Sequence, residues 1–485
     1  MPNAFLDGAI FRHALKETLA KLNAKRRDLN QINVFPVPDG DTGNNLVATI
    51  ESAYMETSKL TGFHLGETAQ AAYYGAREGS TGNSGAIFTQ FLKGWASAFS
   101  EKDKAGASDL ANALEEGTKN AYAAIRDPRE GTILTVARKA TEATQGIAED
   151  NALPTTLLVM YLEARKALVN TCRVLPILRH QKVIDAGGWG LLIFFSALLD
   201  AMGVPIGKPE YDFLPKTSFY ESRTSFLFDH PYDMEFVISA FPDMESVINA
   251  LIGPDGTELI IQPNDKDCHV HIHTNIPHAV VEKIMAVALI EEIVLRDMSS
   301  QSIDHHKRDD GGPQYRTVAI GTHPGFLAMA IMSGAEMALN ANIVAKKQRL
   351  LTEEDETDWL IISSIENLPQ WLGHKIVVVK DDVALLASLV TVFSTDMPSA
   401  EVIQSAASYS RVVRIEADSD LSAICLAIDG LKPMMGEVLT LFFGRGQDRK
   451  AMEERMEQVK RRYTELAEVE LFFGGQSEFL ILSIE

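Results

Sequence analysis

The sequence NVFPVPDGDTGNN occupies residues 33–45 and is the most informative stretch of the chain. Within it, Asp39 and Asp41 flank Gly40 in a segment that two prolines stiffen. Magnesium prefers oxygen ligands and commonly takes one or two protein carboxylates together with phosphates and water, so the two aspartates are candidate metal ligands. Taken alone, Asp-Gly-Asp is also a frequent turn, and that simpler interpretation stays open until the surrounding residues are considered.

Three further polar turns each precede an apolar helical pattern in the first 205 residues. They are Gly82-Asn83-Ser84-Gly85, Glu130-Gly131-Thr132 and Asp185-Ala186-Gly187-Gly188. The N–H groups and the dipole at a helix start attract anions, and glycines let a phosphate approach the backbone. Each turn separately is more often just a helix cap. Four such turns in one helical domain, one of them with paired carboxylates, favour a shared nucleotide site.

Composition excludes several classes of protein. The chain has 485 residues, of which 46% are hydrophobic, and this length predicts more than one domain. The formal net charge of −21 argues against broad binding of a nucleic-acid backbone. The longest apolar runs, such as residues 189–199, are too short to span a membrane, and the three cysteines lack paired spacing. We therefore expect a cytoplasmic protein with no transmembrane segment and no nucleic-acid partner.

The pattern of apolar residues predicts a multidomain chain. Helical periodicity runs through residues 1–205 without a confident strand, and glycines and prolines cluster after Gly203. Strand and helix patterns alternate from there on, with a polar interruption at residues 308–314. The predicted domains are an all-α domain at 1–205, a middle α/β domain at 206–312 and a C-terminal α/β domain at 313–485.

The end of the chain has a distinctive pattern. Residues 436–444 are predicted to form a strand and residues 448–468 a charged helix. Residues 469–473 and 479–484 are then predicted to pair as a hairpin across Gly474-Gly475.

Four strings carry a family resemblance, namely NVFPVPDGDTGNN, GNSG, EGTILTV and VIDAGGWGL. In this order and spacing they resemble the nucleotide-binding domain of the dihydroxyacetone kinase family, in the form found in bacterial fatty acid kinase catalytic subunits. The resemblance implies an antiparallel helical barrel that binds ATP at one mouth and holds two magnesium ions. It implies that Asp39 and Asp41 bind the metals, with Asn33 where related kinases place a further aspartate. The nucleotide contacts that it implies are Thr42, Asn44, Asn45, Gly82, Asn83, Ser84, Gly85, Thr132, Asp185 and Gly187.

One residue departs from the family pattern. The family usually has an arginine before the Gly-Asn-Ser-Gly turn, and this chain has Thr81. Either Arg77 or Arg129 supplies the missing cation, or the family arginine is structural.

The resemblance also implies a mechanism. The metals would bridge the β- and γ-phosphates, and phosphoryl transfer needs mainly positioning and electrostatic stabilisation. A carboxylate acceptor is already ionised near neutral pH, so no general base is expected.

A histidine cluster marks the middle domain. His269, His271 and His273 alternate along a predicted strand, so their side chains share one face, and imidazoles at that spacing are capable zinc ligands. The resemblance matches His271 and His273 to a family histidine pair whose zinc site is completed by a cysteine, and Asp233 stands at that cysteine's position. Two alternatives follow, namely a zinc site with altered ligands or a lost metal with the histidines kept for packing.

The last domain resembles a DegV-like module through the strings GEVLTLFFG and VELFFGGQSEFLILSIE. The family implies a partner, a DegV-family fatty-acid-binding protein that acts as the second subunit of the kinase, and it implies a homodimer. A Gly-Gln-Thr-Met-Asn-Pro-Ser stretch that the family has in this domain is absent, which puts the partner in doubt. The expected function is therefore ATP-dependent phosphorylation of a fatty acid carboxylate. The alternatives are phosphorylation of dihydroxyacetone or a similar hydroxy-ketone, and a nucleotide-binding scaffold without turnover.

Overall fold

The fold was analysed in a computed structural model of the chain. The structure describes residues 2–126, 128–149, 151–206, 228–301, 316–344, 346, 359–365, 368, 375–394, 411–476 and 479–484. The chain divides into two compact units, Met1–Phe226 and Leu227–Glu485. The polar stretch predicted at residues 308–314, and most of the boundary predicted after Gly203, lie outside the described residues.

The first unit is helical, as the apolar periodicity predicts. Its helices are α1 (Gly8–Gln31), α2 (Thr42–Ser58), α3 (Leu65–Gly79), α4 (Gly82–Phe99), α5 (Ala107–Ala123), α6 (Ile133–Gln145), α7 (Leu153–Val174), α8 (Pro176–Gln181) and α9 (Ala186–Ala201). The expectation of no strand is wrong in one detail, because β1 (Leu6–Asp7) pairs antiparallel with β2 (Lys104–Ala105). Two residues are too few for an alternating pattern to show in the sequence.

The core of this unit is built around α9. Every residue from Ala186 to Leu199 is buried, so this helix is apolar on all sides. Each long helix contacts the next along the chain except at the short α8, where α7 contacts α9 directly, and α9 contacts α1. These contacts form a closed circuit. Aromatic rings fill part of its interior, where Trp95 packs against Phe194 with ring centroids 5.3 Å apart.

The second unit contains an eight-stranded and a four-stranded sheet. The strands are β3 (Tyr232–Ser239), β4 (Gly256–Pro263), β5 (Asp267–Thr274), β6 (Ile290–Asp297), β7 (Arg316–Gly321), β8 (Met337–Asn340), β9 (Trp359–Ser363), β10 (Lys375–Val378), β11 (Arg411–Glu416), β12 (Val438–Phe443), β13 (Glu468–Phe473) and β14 (Phe479–Ile484). The helices are α10 (Met244–Ile252), α11 (Pro277–Met285), α12 (Met298–Gln301), α13 (Pro324–Met332), α14 (Ala341–Val344), α15 (Asp382–Ser394), α16 (Leu421–Leu431) and α17 (Arg449–Arg462).

The large sheet has the order β10-β9-β7-β8-β6-β3-β5-β4. Strands β7 to β10 pair in parallel, whereas β8 pairs antiparallel with β6, so the sheet is mixed. Strands from both sides of the boundary predicted at residues 312/313 therefore share one sheet, and one apolar core runs from Met234 to Leu482. The three-domain division stays a prediction about modules of the sequence, since the packing forms two units.

The predicted hairpin at the chain end is wrong. In the small sheet, ordered β11-β14-β12-β13, the strand β12 lies between β13 and β14. It pairs in parallel with β13 and antiparallel with β14. The two strands exist as predicted, but the Gly474-Gly475 segment leads across β12 and does not form a tight turn between neighbours.

A search for membrane spans among the described residues finds no helix with the length and apolar character that crossing a bilayer requires.

Candidate functional site

The segment that precedes α2 is organised by Asn33. This side chain is buried, and its Nδ2 donates to Asp39 Oδ1 at 2.5 Å and to the Val37 carbonyl at 3.0 Å. Its Oδ1 accepts a hydrogen bond from the Thr42 hydroxyl. Asn33 therefore joins the candidate metal ligand Asp39 to the first residue of α2. The atom through which Asn33 would bind magnesium is engaged by Thr42, and its role as a ligand stays a prediction.

The two aspartates lie where a turn meets a helix. Gly40 between them has φ +74°, a conformation that favours glycine, and Asp41 occupies the N-cap position of α2 without capping it through its side chain. Both carboxylates are partly exposed. Among the described residues, neither joins a cluster of three or more acidic, histidine or cysteine ligands. Two carboxylates with neutral oxygens nearby fit magnesium, which takes its other ligands from phosphate and water.

The sequence analysis missed Asn30, which anchors the start of α2 to α1. Its Oδ1 accepts from the backbone N–H of Gly43 at 2.7 Å and of Asn44 at 3.3 Å, and its Nδ2 donates to Asn44 Oδ1 at 3.1 Å. A Cβ at residue 43 would lie 2.4 Å from the Arg26 carbonyl oxygen, so only glycine allows this approach. An asparagine in the last turn of a helix is too common to single out from sequence.

The turn that opens α4 lies against the turn that opens α2. The hydroxyls of Thr42 and Ser84 are 3.3 Å apart, and Thr81 donates to Asn45 Oδ1 at 2.7 Å. Gly82 has φ +59°, and a Cβ there would lie 2.2 Å from Asn45 Nδ2. The predicted phosphate contacts of both turns therefore come together. The Oδ1 atom of Asn83 is buried and has no hydrogen-bond partner among the described residues.

Asp185 joins the turns that open α6 and α9. Its carboxylate accepts from the Gly188 N–H at 2.7 Å and also from the Ile133 N–H, while Thr132 caps α6 through its own hydroxyl. A Cβ on Gly187 would be 3.4 Å from Ile133 Cβ. Burial raises the pKa of Asp185 to about 7, although the two N–H donors act in the opposite direction.

Helix contacts connect the two pairs of turns. Helix α2 contacts both α4 and α9, and α6 contacts α9. Near the start of α9, a Cβ on Gly190 would lie 2.2 Å from Leu46 Cδ1, only one residue after Asn45. All four predicted turns thus belong to helices that pack on one another, and side-chain hydrogen bonds link them within each pair.

A further network, missed by the sequence analysis, holds the turn before α6. Glu130 accepts from Tyr122 at 2.7 Å, from Arg138 at 2.9 Å and from the Thr135 hydroxyl, which itself accepts from the Gly131 N–H at 2.7 Å. Burial would raise the pKa of Glu130, but these hydrogen bonds together lower it to about 2. The spacing of these residues resembles ordinary surface polarity, so the sequence offers no signal for the network.

The structure separates the two candidates for the missing cation. Arg77 is buried on α3, with a guanidinium nitrogen 3.7 Å from Glu78. Arg129 is exposed in the loop before α6, and its carbonyl oxygen accepts from the Thr132 hydroxyl at 2.7 Å. Arg129 is therefore the better placed of the two to reach a nucleotide at the turns.

In the second unit, the predicted zinc residues lie together. Asp233 on β3 is directly opposite His273 on β5, and the possible ligand atoms of Asp233, His271 and His273 all lie within 4.8 Å of one another. All three residues are buried, while Cys268 points into the apolar core on the opposite face. His269 is also on β5 but is not part of this group.

The charges around this group differ from residue to residue. Burial lowers the pKa of His273 to about 3, with His271 adding to the effect. Burial would also lower the pKa of His271, but the nearby Asp233 carboxylate outweighs it and raises the pKa. Burial would raise the pKa of Asp233, but His271 and Arg296 hold it well below its usual value.

Comparison with known proteins gives two family matches and several relatives. The DAK2 domain family matches residues 36–200, and the family of FakA-like middle domains, which come from fatty acid kinases, matches residues 229–305. Protein YloV of Bacillus subtilis is 28% identical over 310 residues, which are 61% of this chain and 56% of that protein. An uncharacterized protein of Staphylococcus saprophyticus is 28% identical over 325 residues, or 64% of this chain and 59% of its own length.

An uncharacterized protein of Staphylococcus haemolyticus is 28% identical over 284 residues, or 56% of this chain and 51% of that protein. The matched parts thus span between half and three fifths of the relatives' lengths. The four turns described above begin or lie within the first matched region, and the histidine group lies within the second. The chain therefore belongs to the proteins that combine a DAK2 domain with a FakA-like middle domain, a combination that indicates a kinase-type function.

Proposed function

We propose that the chain is an ATP-dependent kinase that transfers the γ-phosphoryl group to a fatty acid carboxylate and so forms an acyl phosphate. The observation that carries this proposal is the hydrogen-bonded chain from Asp39 through Asn33 and Thr42 to Ser84. It places a carboxylate and two hydroxyls at the starts of two helices, where N–H groups favour phosphate. We place the site at the mouth of an antiparallel helical barrel, consistent with the closed circuit of helix contacts.

In this proposal the chain's own residues bind and orient the nucleotide. Asp39 and Asp41 would hold two magnesium ions, which when bound offset the charge on the phosphate oxygens. Thr42, Ser84 and the backbone N–H groups of α2 and α4 bind phosphate oxygens. The turns at Thr132 and Asp185 enclose the nucleotide, since both cap helices that pack on the same core.

The transfer step needs no protein nucleophile. An oxygen of the acceptor carboxylate forms a bond to the γ-phosphorus, and the bond to the oxygen that bridges the β- and γ-phosphorus breaks, so that ADP leaves with that electron pair. The acceptor is ionised near neutral pH, so no general base is required. Positioning and charge stabilisation then carry the catalysis.

The middle-domain match supports the fatty acid branch of the proposal, since that family is described by its likeness to fatty acid kinases. We accordingly propose that a DegV-family fatty-acid-binding protein, as the second subunit of the kinase, presents the acceptor. We further propose that the last part of the chain is DegV-like and that the kinase is a cytoplasmic homodimer. We also propose that Asp233, His271 and His273 bind zinc.

Transfer of labelled phosphate from ATP tests the proposal. The full chain is incubated with magnesium and either oleate or dihydroxyacetone, with and without the fatty-acid-binding protein of the same organism. Label on oleate that requires this protein supports the proposal. Label on dihydroxyacetone alone supports a hydroxy-ketone kinase, and nucleotide binding without any transfer supports a scaffold.

The variant Asp41→Ala tests the metal site in the same assay. We expect magnesium-dependent turnover to fall by about 100-fold or more, because charge stabilisation of this kind is a large part of catalysis. The fold should persist, since Asp41 is partly exposed and does not cap α2 through its side chain. Asp200→Ala is the matched control, because Asp200 is near the other end of α9, about 20 Å from its start. Equal turnover in the two variants would refute the role of Asp41.

A further inference from the structure

The predicted zinc residues lie on a sheet face that also carries a buried arginine. Strand β3 lies between β5 and β6, and the strand register places Asp233 directly opposite His273 on one side and Arg296 on the other. Glu235, two residues along β3, is on the same face and opposite His271. The side chain of Arg296 is only 5% exposed, so its charge is held within the protein.

The donor atoms of this face fit a divalent metal ion. Asp233 Oδ1 is 3.2 Å from His271 Nδ1, but the two are not aligned as a hydrogen bond. Both imidazole nitrogens of His271 and the Oδ1 atom of Asp233 are buried without a hydrogen-bond partner among the described residues. Buried polar atoms normally have partners, and two imidazoles with one carboxylate are a frequent ligand set for zinc.

Arg296 engages the other side of the same carboxylate. Its Nη1 atom is 2.7 Å from Asp233 Oδ2 and 3.1 Å from Glu235 Oε1. One guanidinium therefore bridges two buried carboxylates and supplies positive charge where a bound metal would supply it. With Asp233 and Glu235 ionised, the three side chains sum to a net charge of −1.

We propose that Arg296 is a built-in cation that competes with a divalent metal for Asp233 and keeps the metal affinity of this site low. A metal on Oδ1 and the guanidinium on Oδ2 would be separated by little more than one carboxylate group. Like charges repel strongly at such separations when they are buried, because water does not screen them. The site then holds its metal weakly and exchangeably, and this inference does not depend on the proposed kinase activity.

A second effect of Arg296 acts in the opposite direction. Groups that hydrogen-bond to a metal ligand orient it, and losing them commonly lowers metal affinity. Here Asp233 is already held on a strand paired on both sides, with His271 on its Oδ1 side. Repulsion by a full charge should therefore outweigh the loss of orientation.

The experiment measures zinc affinity of the full chain by competition with a chromophoric chelator at constant pH. We expect Arg296→Met to bind zinc about tenfold or more tightly than the wild type, and Arg296→Lys, which keeps the charge, to stay near the wild type. Arg449→Met is the matched control. It removes a partly buried arginine that pairs with Glu282 in the same unit, and it should leave zinc affinity unchanged.

A second variant keeps the test informative if Arg296→Met fails to fold without metal, since removal of one partner leaves buried carboxylates uncompensated. The double variant Glu235→Gln/Arg296→Gln leaves Asp233 alone and keeps the net charge at −1. It should also bind zinc more tightly than the wild type, because the competing contact is gone. Unchanged or weaker binding in the folded variants overturns the proposal, as does the absence of zinc binding in the wild type and every variant.

Discussion

The Asp185 carboxylate combines a structural task with an electrostatic cost. It accepts hydrogen bonds from the first turns of two helices, yet it is fully buried and its pKa is raised to about 7. The unfolded chain loses this proton near pH 4, whereas the folded chain keeps it until near pH 7. Unfolding therefore releases a proton between these values, and the contribution of Asp185 to stability declines as the pH rises through this window.

We predict that Asp185→Asn reduces the loss of stability between pH 5 and pH 8. Asparagine can still accept from Gly188 and Ile133 but carries no charge to bury. The difference in the free energy of unfolding at pH 8 should be about 2–4 kcal/mol, since one pKa unit corresponds to about 1.4 kcal/mol. Urea unfolding followed by far-ultraviolet circular dichroism at both pH values measures it. Asp200→Asn, near the exposed end of α9, should keep the wild-type pH dependence.

Single residues of the site could be predicted to different degrees. The string at residues 33–45 identifies Asp39, Asp41 and Thr42 because a turn with two carboxylates before a helix is visible locally. Asn30 could not be found in this way, since its importance comes from its place on the neighbouring helix α1. The same holds for Arg296, which is 63 residues from Asp233 and reaches it only through strand pairing.

At the scale of elements, the close approach of α2 and α4 depends on Gly82. Its positive φ and the 2.2 Å that would separate a Cβ from Asn45 Nδ2 leave no room for a side chain. We predict that Gly82→Ala displaces Asn45, breaks its hydrogen bond with Thr81 and weakens ATP binding by about tenfold. The cost in stability should be about 1–3 kcal/mol.

Isothermal titration with a non-hydrolysable ATP analogue and magnesium measures the effect of Gly82→Ala. Gly146→Ala is the control, because a Cβ at residue 146 meets nothing within 4 Å and the backbone there is helical. Wild-type affinity in Gly82→Ala would show that the two turns do not form one nucleotide site.

Elements differ in how much of them local sequence determines. Helix α17 was predicted from its spacing, and Met452, Met456 and Val459 are indeed its buried residues. Strands β13 and β14 were also found, but their pairing was not. Glycines between two apolar strands favour a hairpin, whereas here the insertion of β12 between them satisfies the hydrogen bonds of both strands. Which strand lies between two others is decided by packing across the whole unit.

For the whole molecule, the shared sheet predicts how the chain tolerates cutting. A fragment of residues 313–485 would lose β3 to β6, leave the edge of β8 unpaired and divide one apolar core. We predict that this fragment aggregates, whereas a fragment of residues 228–485 keeps both sheets and stays monomeric or dimeric. Size-exclusion chromatography and binding of a hydrophobic dye compare the two. A well-folded 313–485 fragment would contradict the single core and support three independently folding domains.

The order of helices and strands, and the division after the helical region, are visible in the sequence because composition and periodicity change there. The union of the middle and last segments is not, since it rests on the antiparallel pairing of β6 with β8. That contact joins residues more than forty positions apart, across a polar stretch that reads as a boundary.

Helix α9 is enclosed by its neighbours on every side, and its first turn forms one wall of the candidate nucleotide site. A helix with no free surface cannot slide or rotate unless several others move with it. Adjustment to the filling and emptying of the site must therefore fall to the proline-containing segment before α2, which is only partly buried. One wall of the proposed site is thus as rigid as the protein interior, and the opposite wall is the one that can yield.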